Sequence, residues 1–356
     1  MNTLRDDLRE LAAQAPGVDL ADRAVRGARR RRATRLAAIS AAVVCLIAAG
    51  STVLFQQVFH EPPIVLAPPE TKALPLPEKG VGPVEQMYQM PCKAGCERRE
   101  WRLATRDGEV YAFDPGPGPM AATPDGRRIA YYSAKQHTIL IRDLADGKTW
   151  KAPLKEPEEA FEAEYTLRLS HDGLRFVVSG WGGRRQPNLL VDVLRGTTTE
   201  LERGWFPVSV ADGDGPVVLI KPYDKTTKVW VLGHQPITVA DFTYDFSLLS
   251  PDGHTLSRLT GSTDERPRRA DSIATFDALR GGQETTVLIS GVHEGLRPAR
   301  MGAWLNEHQV TVLAVPQAPR DGLPSLVYAI DVRTGESREM FATREDGAVV
   351  LPGIVR

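Results

Sequence analysis

The chain has 356 residues, 42% of them hydrophobic and 25% charged, with 31 glycines and 27 prolines. That is the composition of a globular protein rich in short strands and turns, not of a disordered or fibrous one. A formal net charge of −1 gives no global signal for nucleic acid, so the information lies in how the charge is placed along the chain.

Residues 1–35 read as a basic helical tail. Leu4, Leu8, Leu11, Ala12 and Ala15 fall at helical spacing, Thr3 is placed to cap the helix, and Asp6 lies in its first turn, where a carboxylate suits the dipole. Pro16 and Gly17 break that pattern, and a second helix is expected from about Asp19 through the arginines. The tail is read either as a docking helix for a cytoplasmic protein or as an amphipathic segment lying on anionic lipid. Tails of this kind sometimes restrain sigma factors, but this one has no cysteine and no histidine for the zinc-binding version of that pattern.

Leu36 to Phe55, LAAISAAVVCLIAAGSTVLF, carries no charge. Twenty helical residues at about 1.5 Å each span roughly 30 Å, the depth of a bilayer's hydrocarbon core. A buried soluble helix would keep a polar face, and this run has none. A membrane helix is therefore expected over residues 36–56. Arg23, Arg26, Arg29, Arg30, Arg31, Arg32 and Arg35 precede it, while no Lys or Arg follows until Lys72, which puts the N-terminus in the cytoplasm and the remainder outside. The competing reading is a cleaved signal peptide ending near Ala48-Ala49-Gly50, but the apolar run exceeds the usual signal core of about 7–15 residues. Cys45 is read as a small apolar residue of the helix, since Ala42, Val43 and Val44 make a poor lipoprotein signal.

Residues 57–84 are expected to be a linker. Pro62, Pro63, Pro68, Pro69, Pro75, Pro77 and Pro83 favour extended polyproline II and a semi-rigid stalk. Just beyond it, Cys92 and Cys96 sit four residues apart in PCKAGC. Outside the cell membrane a disulfide between them can persist, whereas a metal site would need further ligands that are not close in sequence.

Residues 85–356 change character. Short apolar and β-branched runs alternate with Asp-Gly and glycine-rich turns, the signal of strands and hairpins. A unit recurs: AATPDGRRIAYYS with TILIRDLADGKTW, LRLSHDGLRFVVSG with NLLVDVLRGTTTEL, VSVADGDGPVVLIKP with TKVWVLGHQPITV, SLLSPDGHTLSRLTG with SIATFDALRGGQETTVLI, and AWLNEHQVTVLAVPQ with SLVYAIDVRTGESREMF. Each copy reads as strand, turn, strand, loop, strand, turn, strand. The spacing of the turn acids is that of four-stranded propeller blades, about 40–55 residues.

The Pro-Asp-Gly turn followed by an apolar strand, at Pro124-Asp125-Gly126 and Pro251-Asp252-Gly253 and nearly so at His171-Asp172-Gly173, resembles the TolB-like and WD-repeat propeller families over roughly residues 120–341. The Trp-Asp dipeptide of the second family is missing from every copy, so the likeness is to the TolB-like kind. It implies an all-β propeller and says almost nothing of function. EWRLATRDGEVYAF, residues 100–113, reads as one hairpin of a further blade, and residues 348–355 as a lone strand that completes the first blade and closes the ring. Six blades are expected, with seven as the alternative.

Asp125, Asp172, Asp214 and Asp252 are read as structural turn residues, because Asp-Gly pairs support tight turns. Calcium is the functional alternative at Asp212 and Asp214, but no complete ligand loop surrounds them. The sequence offers no Gly-x-Ser-x-Gly elbow and no His-Glu-x-x-His, and its histidines are scattered among the copies. No catalytic, cofactor or metal residue is therefore assigned. Trp101, Trp150, Trp205, Trp230 and Trp304 are read as packing between blades. Trp181, with Arg184 and Arg185, lies in a glycine-rich loop and is the candidate ligand surface. The expected function is a membrane-anchored binding or sensing scaffold for protein, peptide or glycan. The alternatives are a propeller hydrolase or lyase acting on envelope polysaccharide, and a transmembrane regulator whose tail holds a cytoplasmic partner such as a sigma factor.

Overall fold

The structure is a computed structural model that describes residues 72–90, 100–115, 118–155, 164–181, 187–262, 269–318, 323–343 and 348–354. The expected tail (1–35), the membrane helix (36–56), and Cys92 and Cys96 lie outside the described residues. Among the described residues no helix is long and apolar enough to cross a membrane.

The described chain is all β, in six sheets. In chain order, the first sheet holds β1 (Leu74–Pro75), β2 (Val84–Gln89), β3 (Trp101–Thr105) and β4 (Val110–Phe113). The second holds β5 (Met120–Ala122), β6 (Arg128–Ser133), β7 (Thr138–Asp143) and β8 (Thr149–Lys151). The third holds β9 (Glu164–Leu169), β10 (Arg175–Trp181), β11 (Leu189–Asp192) and β12 (Thr197–Glu200), and the fourth β13 (Phe206–Val210), β14 (Val217–Tyr223), β15 (Thr226–Val231) and β16 (Ile237–Val239). The fifth has β17 (Thr255–Ser262), β18 (Arg269–Asp277) and β19 (Thr285–Leu288). The sixth has β20 (Leu296–Trp304), β21 (Gln309–Pro316), β22 (Leu326–Asp331) and β23 (Ser337–Ala342). The last strand, β24 (Val349–Val350), returns to the first sheet and pairs antiparallel with β2, Met87 opposite Val350 and Tyr88 opposite Val349. The architecture is a six-bladed β-propeller whose C-terminal strand forms the innermost strand of the N-terminal blade. The five repeat copies are blades two to six, and the hairpin at residues 100–113 is β3–β4 of blade one.

Burial explains the composition of the strands. Within a blade the middle strands are covered on both faces by neighbouring blades, so TILIRD in β7 and LVYAID in β22 are almost wholly buried. The outermost strand meets solvent, so TTTE in β12 is fully exposed. The core is a set of wedges between blades. Tyr132, Ile139 and Ile141 of blade two meet Leu167, Phe176 and Val178 of blade three, and Val218 and Ile220 of blade four share a cluster with Phe246, Leu256 and Phe276. Each such side chain contributes about 1.5–3 kcal/mol by leaving water. Trp205 is buried beside Trp230, ring centroids 5.1 Å apart, between blades three and four. Trp304 is buried and donates its indole N–H to the Leu248 carbonyl at 2.8 Å, tying blade six to blade five.

Blade five departs from the repeat. Its expected first strand, in SLLSPDG, is replaced by an irregular stretch joined to β17 by the single bridge Phe246–Arg258. Local side chains compete for the ladder there: the Thr243 hydroxyl accepts the Asp245 N–H at 3.0 Å, and the Ser247 hydroxyl donates to the Leu248 carbonyl at 2.7 Å.

The proline-rich linker expected over residues 57–84 is, in its described part, a strap packed on the ring rather than a stalk. β1 adds in parallel to the outer edge of β4, Leu74 opposite Tyr111, where a proline's missing N–H costs no ladder bond. The chain then crosses to blade two. The Val81 N–H donates to the Leu144 carbonyl at 2.7 Å, the Arg142 guanidinium reaches the Pro77 carbonyl, and Leu76 and Val81 pack into the core between blades one and two. The fit depends on Gly147, which holds φ of 81° and whose Cβ would lie 1.8 Å from the Glu78 carbonyl oxygen. Replacing Gly147 by alanine is expected to cost at least about 2 kcal/mol from the left-handed backbone and the clash together. The check is thermal melting together with tryptic cleavage at Lys79, which should become fast in Gly147→Ala and stay slow in the native chain. Unchanged cleavage and melting would show that the strap does not rest on this turn.

Candidate functional site

Neighbouring strands within a blade are antiparallel, so its first-to-second and third-to-fourth turns emerge on one face of the ring, here termed the turn face. Carboxylates of this face are spent on the backbone. Asp125 Oδ1 accepts the Arg127 N–H at 3.0 Å and the Thr123 hydroxyl at 2.6 Å. Asp172 Oδ1 accepts the Leu174 N–H at 2.9 Å and the Ser170 hydroxyl at 2.7 Å, and Asp252 Oδ1 accepts the His254 and Thr255 N–H groups at 2.8 Å. Asn306 does the same in blade six. Asp143, Asp192, Asp277 and Asp331 cap the third-to-fourth turns. Asp214 behaves differently: its exposed carboxylate pairs with Arg195 of the preceding blade through both oxygens. Asp212, the other half of the calcium alternative, accepts the Asp172 N–H at 2.7 Å.

Arginines stitch these turns across blades. Arg127 and Arg128 meet the buried Asp143 carboxylate at 3.1 and 3.0 Å, and Arg128 also reaches the Asp172 carbonyl of the next blade. Arg175 donates to the Ala211 and Gly215 carbonyls at 3.1 and 2.6 Å. Burial works to raise the Asp143 carboxyl, but the Ala145 N–H and the two guanidiniums outweigh it and hold it below the usual carboxylate range. The turn acids named above are engaged in a structural network.

Of the surface residues that the sequence singles out for ligand binding, only the backbone of Trp181 is described. Trp181 ends β10 at the face opposite the turns, and its side chain, with Arg184 and Arg185, lies outside the described residues.

Among the described residues, the central channel holds a cavity of about 540 Å³. Innermost strands wall it: Met120 to Ala122 of β5, Leu167 to Leu169 of β9, Ala299 and Arg300 of β20, and Val349 and Val350 of β24, with Leu248 from the irregular stretch of blade five. Leu351, Gly353 and Ile354 line its turn-face end. Because β24 is only two residues long, the cavity also reaches into the seam between blades six and one, past Leu313, Val315, Ser325 and Thr343. The wall is mainly apolar, and its two charges are both arginines. Arg168 is buried; desolvation first and the charge of Arg300 second pull its guanidinium down to about 9. Arg300 is half-exposed and gives Nη1 to Asp245 at 2.7 Å. Burial raises the Asp245 carboxyl, and Arg300 opposes that rise. A second hollow of about 330 Å³, lined by Phe242, Tyr244, Asp245, Arg297 and Arg300, adjoins the channel at Ala299 and Arg300.

None of the channel residues was singled out from the sequence, yet a signal for some of them exists. Ala121, Arg168 and Leu248 each stand four residues before a turn aspartate (Asp125, Asp172, Asp252), and all three line the channel. Aligning the copies at that position exposes Arg168 as the charged exception. Arg300 has no such mark, because blade six carries Asn306 and its first strand is irregularly registered.

No protein-family model matches the chain, and no curated protein is similar to it in sequence. Among solved structures it is similar to TolB from Acinetobacter baumannii, with 15% identity over 76% of this chain and 66% of that one and a TM-score of 0.48. It is also similar to hydrazine synthase from Kuenenia stuttgartiensis (15%, 70% and 68%, TM-score 0.38) and to oligogalacturonate lyase from Vibrio parahaemolyticus (10%, 75% and 74%, TM-score 0.40). The reading of the site rests on the geometry above.

The turn-face network makes a pH-dependent prediction. Asp143→Asn should cost about 2 kcal/mol near neutral pH, the order of a charge-assisted bond lost in a buried setting. The carboxyl is held below the value of about 3.9 expected in the unfolded chain, so its contribution is complete above that value and is lost as pH falls through the lower folded value. Urea denaturation of the two proteins should therefore differ at neutral pH and converge in acid; a gap that persists in acid would assign the effect to something other than this ionisation.

Proposed function

We propose that this protein is a membrane-tethered propeller whose outer domain is a binding scaffold, with the central channel as its ligand site. Three observations support the reading. The uncharged run at residues 36–55 follows an arginine-rich flank, which suits one membrane helix with a cytoplasmic tail at residues 1–35 and an extracytoplasmic propeller. The strap at residues 72–83 gives that propeller a firm attachment to the chain that precedes it. The observation that carries the reading is the channel itself: a concave, mainly apolar cavity within the range of about 300–1,000 Å³ typical of ligand sites, with two cations in its lining. Its described lining holds two arginines in a mainly apolar wall, which suits holding a ligand.

Two measurements test this. Alkaline phosphatase fused after residue 356 should be active in intact cells and a fluorescent protein fused there should be dark; the reverse pattern would place the propeller in the cytoplasm. A photo-crosslinking residue at Leu248, inside the channel, should give a defined adduct in cells. The same residue at Leu194, exposed on the turn face, should not. Equal labelling at both positions, or none at Leu248, would remove the channel as the binding site.

A further inference from the structure

Resting on the channel as a ligand site, we propose that it selects a carboxylate attached to an apolar body, clamped between Arg168 and Arg300. The two arginines come from blades three and six, which stand opposite each other in a six-membered ring, and both line the same cavity. Guanidiniums are planar forks that match a carboxylate in two-point geometry. Arg300 is placed to use this. Asp245 engages only its Nη1, from the side of the adjoining hollow, and Arg300 makes no other hydrogen bond among the described residues. Its side chain is 49% exposed and lines the channel, so its remaining donors are open to an incoming group.

Electrostatics point the same way. The charge of Arg300 acts unfavourably on the buried guanidinium of Arg168. An anion seated between them offsets that repulsion with an attraction to each, and burial strengthens the one at Arg168. A phosphate or sulfate would satisfy the charge, but most of the wall is apolar (Leu167, Leu169, Leu248, Val349, Val350), and its two hydroxyl residues, Ser325 and Thr343, lie in the seam between blades six and one, so such a ligand's other oxygens gain little there. A carboxylate with an apolar tail leaves nothing polar unmatched. Two sources share that chemistry, a free medium-chain acid and the C-terminal carboxylate of an apolar peptide.

The test is calorimetric titration of the purified full-length chain with octanoate and octanol, and with an acetylated peptide ending in Leu-Val and its C-terminal amide. At least one acid should bind at least about tenfold more tightly than its neutral counterpart, the factor that corresponds to about 1.4 kcal/mol. The member of the pair that binds identifies the source. Arg168→Met and Arg300→Met, which keep the bulk of the side chain, should each erase that preference while thermal melting confirms a folded ring. Leu248→Trp should fill the cavity and abolish binding without touching either arginine. If acid and neutral forms bind equally, the carboxylate clamp is wrong and the channel remains a ligand site. If neither form of either probe binds, or if Leu248→Trp leaves binding intact, the clamp falls, and the second of these results also moves the site away from the channel.

Discussion

The structure depends on one requirement: the middle strands of each blade are apolar on both faces and must be covered on both. No blade can satisfy this alone, so each is stable only between two neighbours, and a row of blades has two uncovered ends until it becomes a ring. The pairing of β24 with β2, at Met87–Val350 and Tyr88–Val349, is where that ring closes. It joins distant parts of the chain in one sheet, so the wedge clusters on either side of blade one depend on a contact between the chain's far segments. The strap adds to the same joint, since Leu76 and Val81 share a cluster with Val350 as well as with Met87 and Leu103.

Closing the ring divides its surfaces by task. On the turn face the carboxylates saturate backbone N–H groups, and arginines carry the tie from blade to blade, as Arg128 does from Asp143 to the Asp172 carbonyl. Buried acids there keep their charge because donors surround them, which suits them to holding loops in place and leaves little to offer a ligand. The channel is built on the opposite rule. Its inner strands line it mainly with apolar residues, and the two cations that break this pattern gain their significance from lining one cavity. The short β24 and the irregular first stretch of blade five both border the cavity that Arg300 lines.

Much of this was legible in the sequence. The repeat of strand, Asp-Gly turn and strand gave the blades, their number and the closing strand, because turn chemistry and burial on alternate faces are local demands that each copy repeats. The strap was not legible. Pro75 and Pro77 argue against a central strand but permit an edge strand, and the sequence does not say which partner edge is near. The missing first strand of blade five was hidden too, since Thr243, Asp245 and Ser247 read equally well as strand residues until their side chains are seen bonding to the backbone.

What the sequence determined by itself was everything fixed by neighbours in the chain: the strands, the turns that Asp125, Asp172 and Asp252 cap, and an uncharged run with a basic flank. What only the tertiary structure decided is which side chains share a space. Arg168 and Arg300 belong to blades separated by two others along the chain, and nothing local distinguishes Arg300 from a solvated surface residue. They line one cavity because a ring of six places its third and sixth members across one axis, so the closure of the fold creates the electrostatic environment of the channel.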